Sequence, residues 1–207
     1  MAFDREYRSR RAWARVAGLM YLLVLIVDMT GMQSSRPLLG RSLMLTGSLL
    51  TVPLALGLYF TLRIFQPALS RIALACRLIE ALLGIVATVA GFAAVRTALL
   101  GTQLGKATLG LVAWNGATSF GAFIFTVGST LFFFLFVKSA SIPRFLGWLG
   151  LVASLVALAA CTTHLILPHF PAMTMAAWIP MLLAEISTGG WLLVRSIKNV
   201  PAEAITR

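Results

Sequence analysis

Acidic side chains are scarce in this chain: 207 residues hold six Asp and Glu against seventeen Lys and Arg. Charged residues reach only 11% in total, far below the quarter typical of soluble domains, which excludes an ordinary soluble fold. Cysteine is nearly absent. Cys76 and Cys161 belong to no CxxC pair or Cys/His cluster, so neither a disulfide framework nor a zinc site is indicated, and both read as small buried hydrophobes. The chain also lacks a phosphate-binding loop and the GxSxG, HExxH and dinucleotide fingerprints. Without a second ligand at metal spacing, no metal, haem or other cofactor is expected.

Long hydrophobic runs are what the chain does have. It is 59% hydrophobic, with a mean hydropathy of +0.93. Apolar segments cover about 13–32, 43–64, 72–98, 115–137, 145–167 and 172–194. Each supplies the ~20 residues that a helix needs to cross ~30 Å of hydrocarbon. The expected fold is all-α: a polytopic membrane protein, a bundle of six transmembrane helices forming one domain over 1–207. The N-terminus has the basic start and apolar run of a signal peptide. Its run from Val16 to Met32 is too long for one, and no small-x-small site follows, so a retained first helix is expected.

The formal charge of +11 is distributed as membrane topology would distribute it. With the N-terminus inside, Arg5, Arg8, Arg10, Arg11, Arg15, Arg63, Arg71, Lys138, Arg144, Arg195, Lys198 and Arg207 fall on the cytoplasmic side. Only Arg36, Arg41, Arg96 and Lys106 fall outside, and Arg77 lies within a span. Lys and Arg collect in cytoplasmic loops, so both termini are expected in the cytoplasm of a multi-pass protein of the cell (inner) membrane. No basic face with interleaved aromatics stands outside the spans, so nucleic acid is not an expected partner. Trp13, Trp148 and Trp191 near inner ends, and Trp114 and Trp178 near outer ones, fit an interfacial belt.

Pro37, Pro67, Pro143, Pro168 and Pro171 punctuate the joints, while Pro53 and Pro180 fall inside spans, where a kink is the structural reading. The linker from Leu99 to Ala113 marks no site. Small residues on the third and fourth spans (Gly84, Ala87 and Gly91; Gly116, Gly121 and Gly128) suit close helix approach, within one chain or between copies. The run Phe132 to Phe136, interrupted by Leu135, suits either lipid or the bundle interior.

Half of the acids sit where a charge is most expensive. Asp28, Glu80 and Glu185 all lie inside spans, where a charged residue at the centre costs roughly 2.5–3.5 kcal/mol on insertion scales. Counted from the expected ends, Glu80 and Glu185 each lie about 13 Å deep at 1.5 Å per residue. Arg77 precedes Glu80 by three residues and shares its helix face. Glu185 has no basic residue within a turn, which makes Arg77 its natural partner and gives a candidate Glu80–Arg77–Glu185 triad. Such a triad serves equally as a titrating centre or as helix-to-helix glue. Asp28 and His164, both in the outer half, are secondary candidates for a pair; an interfacial role is the structural reading of the lone histidine.

The order of segments resembles the uncharacterised bacterial membrane family of domain of unknown function 4386. The matching runs are Ala14-Arg15-Val16-Ala17-Gly18-Leu19-Met20-Tyr21-Leu22, then Ala55-Leu56-Gly57-Leu58-Tyr59, then Arg77-Leu78-Ile79-Glu80-Ala81. They continue with Ile142-Pro143-Arg144-Phe145-Leu146-Gly147 and end with Glu185 and Trp191-Leu192-Leu193-Val194. The resemblance implies a six-helix membrane protein and carries polar positions onto Arg77, Glu80 and Glu185, with no activity attached. Three readings therefore stand open. One is a site that binds or acts on a lipid-like or isoprenoid molecule within the bilayer. Another is a non-catalytic subunit or scaffold whose buried charges fix packing, which calls for a protein partner or a second copy. The last is a small proton-linked transporter. Membrane lipids are the expected surroundings in all three.

Overall fold

A computed structural model describes residues 2–99, 116–167 and 171–198. Its described residues form six helices: α1 (Ala2–Gln33), α2 (Pro37–Leu62), α3 (Pro67–Leu99), α4 (Gly116–Ser139), α5 (Arg144–Ile166) and α6 (Pro171–Val194). All six are long and apolar enough to cross a membrane. Lys106, Trp114, Pro168, Arg207 and most of the linker after Leu99 lie outside the described residues.

Prolines open the elements as expected. Pro37, Pro67 and Pro171 each occupy the first position of a helix, and Pro143 is the N-cap of α5. A missing N–H costs nothing there, because the first turn has no intrahelical acceptor. Pro53 and Pro180 sit inside α2 and α6. The largest departure from the apolar spans is at α1, which starts at Ala2 rather than near 13. The segment before Trp13 is polar but free of Gly and Pro, and Ala, Glu and Arg are good helix formers. Hydropathy reports the buried length of a helix and misses such an extension.

The helices pack as a closed ring in chain order. Each touches its neighbours in sequence, α6 closes against α1, and α4 reaches across toward α2. Among the described residues no backbone contact joins α3 to α6 or α1 to α5. Glycines set the close seams. A side chain on Gly18 of α1 would meet the Leu193 backbone nitrogen at 2.5 Å and the Gly189 carbonyl oxygen at 2.7 Å. The ring therefore closes backbone to backbone. Gly84 packs on Ser48 and Gly91 on Arg41, both across the α2–α3 seam, while Gly128 packs on Arg77 across α3–α4. These small-residue positions are used within the chain.

The core is built on α4. Phe132, Phe133, Leu135 and Phe136 are buried, and only Phe134 faces outward, at 36% exposure. The aromatic run thus belongs mainly to the interior. Leu54, Leu58, Leu62, Ile142, Met181 and Leu192 complete it. The perimeter carries Ile26, Met32, Val86, Val152, Phe145 and Val194, all exposed, as a lipid-facing surface requires.

At the end bearing both termini, the segment after α6 folds back over the ring. The Ser196 hydroxyl donates to the Arg11 carbonyl at 3.0 Å, and the Lys198 N–H donates to the Ser141 carbonyl at 2.8 Å. Ser196 holds φ at 60°, a left-handed conformation unusual for a residue with a Cβ, and is itself buried.

Candidate functional site

Arg77 is the centre of the interior. It projects from the face of α3 formed by Ser70, Ala73, Arg77 and Ala81, all buried. These positions recur every three to four residues, the spacing of one helix face. The Arg77 Nη1 lies 2.9 Å from Glu80 Oε2, one turn further along α3. The contact is ionic without being a well-aligned hydrogen bond, since neither atom has a hydrogen-bond partner. The guanidinium carbon stands 4.6 Å from the centroid of the Phe125 ring on α4, within range of a cation–π attraction. Its aliphatic stem crosses α4 at Gly128, where a Cβ would sit 3.3 Å from Arg77 Cγ and Cδ.

Glu185 enters from α6, on the opposite side of the ring. It is 7% exposed and makes no ion pair or hydrogen bond with another described residue. It nevertheless lies within electrostatic reach of Arg77, Glu80 and Asp28. The longer α3 explains how the level is shared. Since α3 begins at Pro67, Arg77 lies about 15 Å and Glu80 about 20 Å from its start. Glu185, about 13 Å from the end of α6, therefore sits level with Arg77 rather than with Glu80.

Asp28 belongs to this group and not with His164. Its carboxylate occupies the space that a side chain on Gly47 of α2 would fill, and it feels the charge of Arg77. His164 stands on α5, which has no backbone contact with α1 among the described residues. Its Nδ1 is buried without a hydrogen-bond partner. The two secondary candidates, Asp28 and His164, thus stand on helices that are not neighbours in the ring.

Tyr21 was not singled out from the sequence, yet it joins the centre. It is 2% exposed on α1, beside Gly189, and within electrostatic reach of Glu185, Arg77 and Glu80. The available signal was a tyrosine mid-span, away from the interfacial belt. Arg10 likewise reads from the sequence only as a topological charge. It is 7% exposed, donates from Nε to the Thr61 carbonyl at 3.0 Å, and stacks over Phe65.

Among the described residues no group of three His, Cys, Asp or Glu could hold a metal ion. Cys161 is buried and Cys76 only partly so; both thiols are free. An open cleft of about 430 Å³ lies at the α1–α2 junction, lined by Met29, Thr30, Gln33 and Arg36 among others. Its wall begins one residue beyond Asp28 and includes neither Arg77, Glu80 nor Glu185.

Fold and cluster together define a six-helix bundle of transmembrane type with ionisable groups at its centre. The chain belongs to the family described as Domain of unknown function (DUF4386), whose model matches residues 29–196. That match takes in Arg77, Glu80 and Glu185 and leaves out most of α1, including Tyr21. No curated protein and no solved structure matches the chain.

Proposed function

We propose that this chain is a multi-pass protein of the cell membrane, with both termini cytoplasmic, whose interior centre binds and releases protons in a small proton-linked carrier. The observation that carries this reading is Glu185: a buried carboxyl with no ion pair or hydrogen bond among the described residues, level with a guanidinium already paired to Glu80. Three carboxyls, Asp28, Glu80 and Glu185, share one cation. Fully ionised, they would leave the group at a net charge of two minus in a low-dielectric interior, which is costly. A proton held there halves that net charge and lowers the cost, and its release and return is the elementary step of a proton-linked carrier. Asp28 extends the group toward the cleft at Met29 and Thr30, which supplies an opening on the side away from the termini.

The test is reconstitution into vesicles containing a pH-sensitive dye. Wild type should relay an external acid pulse to the lumen, and Glu185→Gln should lose the relay while remaining folded. Equal responses from both proteins would contradict the reading.

A second reading rests on the 2.9 Å Arg77–Glu80 contact and the Phe125 stack, which suit a scaffold whose charges fix helix packing. Under it, Glu185→Gln alters nothing but stability, and a protein partner or second copy is required. A site for a lipid-like or isoprenoid molecule needs a cavity beside Arg77, whereas the open cleft is lined by other residues.

A further inference from the structure

Hydroxyl groups inside this bundle follow a rule with three informative exceptions. Thr51, Thr61, Thr126 and Ser154 are buried, and each donates to a carbonyl of its own helix. That is the usual way for a membrane helix to satisfy a hydroxyl. Ser129, Thr188 and Ser70 are equally buried, at 1%, 0% and 0% exposure, and their oxygens have no partner among the described residues. Native interiors rarely leave buried polar atoms unmatched, and bound water is the common remedy where several lie together.

The three exceptions stand at graded depths from one end of the bundle. Ser129 is one turn along α4 from Phe125, on the face that Arg77 crosses, and about 15 Å from the end of α4 at Ser139. Thr188 is one turn beyond Glu185 on the buried face of α6, about 9 Å from its end. Ser70 is seven residues before Arg77 on the same face of α3, only about 5 Å from its start. All three distances run to the end of the ring that bears the termini. Beyond Ser70, the Gln66 Oε1 and Arg10 Nη2 are also buried and unpartnered. At the upper end, Arg77 Nε is unpartnered as well.

We infer that a file of bound water runs from Arg77 and Glu185, past Ser129 and Thr188, to Ser70 at the termini end of the bundle. Among the described residues α3 and α6, which lie across the ring from each other, have no backbone contact. Asp28 and the cleft at Met29 lie on the other side of Arg77, so the file forms the second half of a polar route across the protein. Use of the file as a proton path rests on the proposed function; the water itself does not.

The experiment uses the full chain with Cys76 and Cys161 changed to alanine, and single substitutions Ser70→Cys, Ser129→Cys and Thr188→Cys. Silver ion, narrow enough to follow single-file water, is added, and the thiols left free are then counted with a maleimide. All three cysteines should be blocked many times faster than one at Ala153→Cys, a packed position 2% exposed on α5. Any of the three reacting as slowly as that control overturns the inference. Thr188→Val is the companion variant should a cysteine disturb folding. Removing a water-bound hydroxyl should lower Tm by about 2–4 °C, the shift expected for a ~1 kcal/mol loss in a chain of this size. An unchanged or raised Tm would mean that the hydroxyl has no partner, and would also overturn it. A blocked set of cysteines with no proton relay in vesicles would retain the water and reject the carrier.

Discussion

Arg77 meets Glu80 on its own helix at 2.9 Å and leaves Glu185, level with it across the ring, without an ion-pair partner among the described residues. A helix that carries Arg and Glu three residues apart solves half of its own desolvation problem. The carboxyl on α6 is then the member whose charge state the bundle leaves open.

Arg77→Leu should be the most damaging single change. It removes the cation from three carboxyls and leaves them uncompensated in the interior. Loss of one partner of a buried pair costs about 3–5 kcal/mol. Thermal unfolding in detergent should show a Tm drop of several degrees, and Arg77→Lys should recover only part of it, since lysine lacks the planar group that stacks on Phe125. A Tm equal to wild type for Arg77→Leu would mean that the charges do not depend on one another.

Ring closure makes a separate prediction. Gly18→Ala should destabilise the protein, because the new methyl meets backbone atoms of Gly189 and Leu193 that cannot move without opening the α1–α6 seam. Gly190→Ala, next to that seam, meets nothing within 4 Å. It should be neutral or gain up to ~1 kcal/mol from helix propensity. Chemical denaturation of the two variants side by side checks the contrast, and similar behaviour would argue against the seam.

Asp28 and Gly47 should be coupled. Gly47→Ala puts a methyl where the Asp28 carboxylate lies and must push it aside. The double variant with Asp28→Ala should be less damaged than the sum of the singles, a non-additivity of 0.5 kcal/mol or more being usual for touching residues. Additive effects would place Asp28 elsewhere.

Arg10 is expected to matter for stability although it reads as one of many terminal basic residues. Its Nε donates to the Thr61 carbonyl and its guanidinium stacks on Phe65, which joins α1 to the α2–α3 turn. Arg10→Ala should cost about 1.5–3 kcal/mol, the range for a hydrogen bond from a charged group. Arg8→Ala, at an exposed position on the same helix, should cost little. Melting curves of the two variants separate the roles.

Much of this architecture is legible in the residues, for reasons that differ by element. Six helices follow from six apolar runs because hydrocarbon thickness dictates their length. The Arg77–Glu80 contact follows from helical spacing alone. Helix order around the ring does not, because several arrangements bury the same faces; hence the residues alone leave the neighbour of Asp28 open, and only the packing shows it to be Gly47 of α2. Tyr21 is not legible in the residues, because an aromatic residue in an apolar helix carries no polar signature until its neighbours across the ring are known. The polar start of α1 was left out because hydropathy measures burial, and that segment extends past the apolar layer.

The central claim is that Glu185 is the carboxyl at which the centre takes up and gives up a proton, and the carbonyl stretch of a protonated carboxyl in the infrared reports this directly. On acidification, wild type should gain a band from a buried protonated carboxyl that shifts in heavy water and is missing in Glu185→Gln, while Glu80→Gln retains it. A wild-type spectrum without such a band, or one unchanged by Glu185→Gln, would contradict the account.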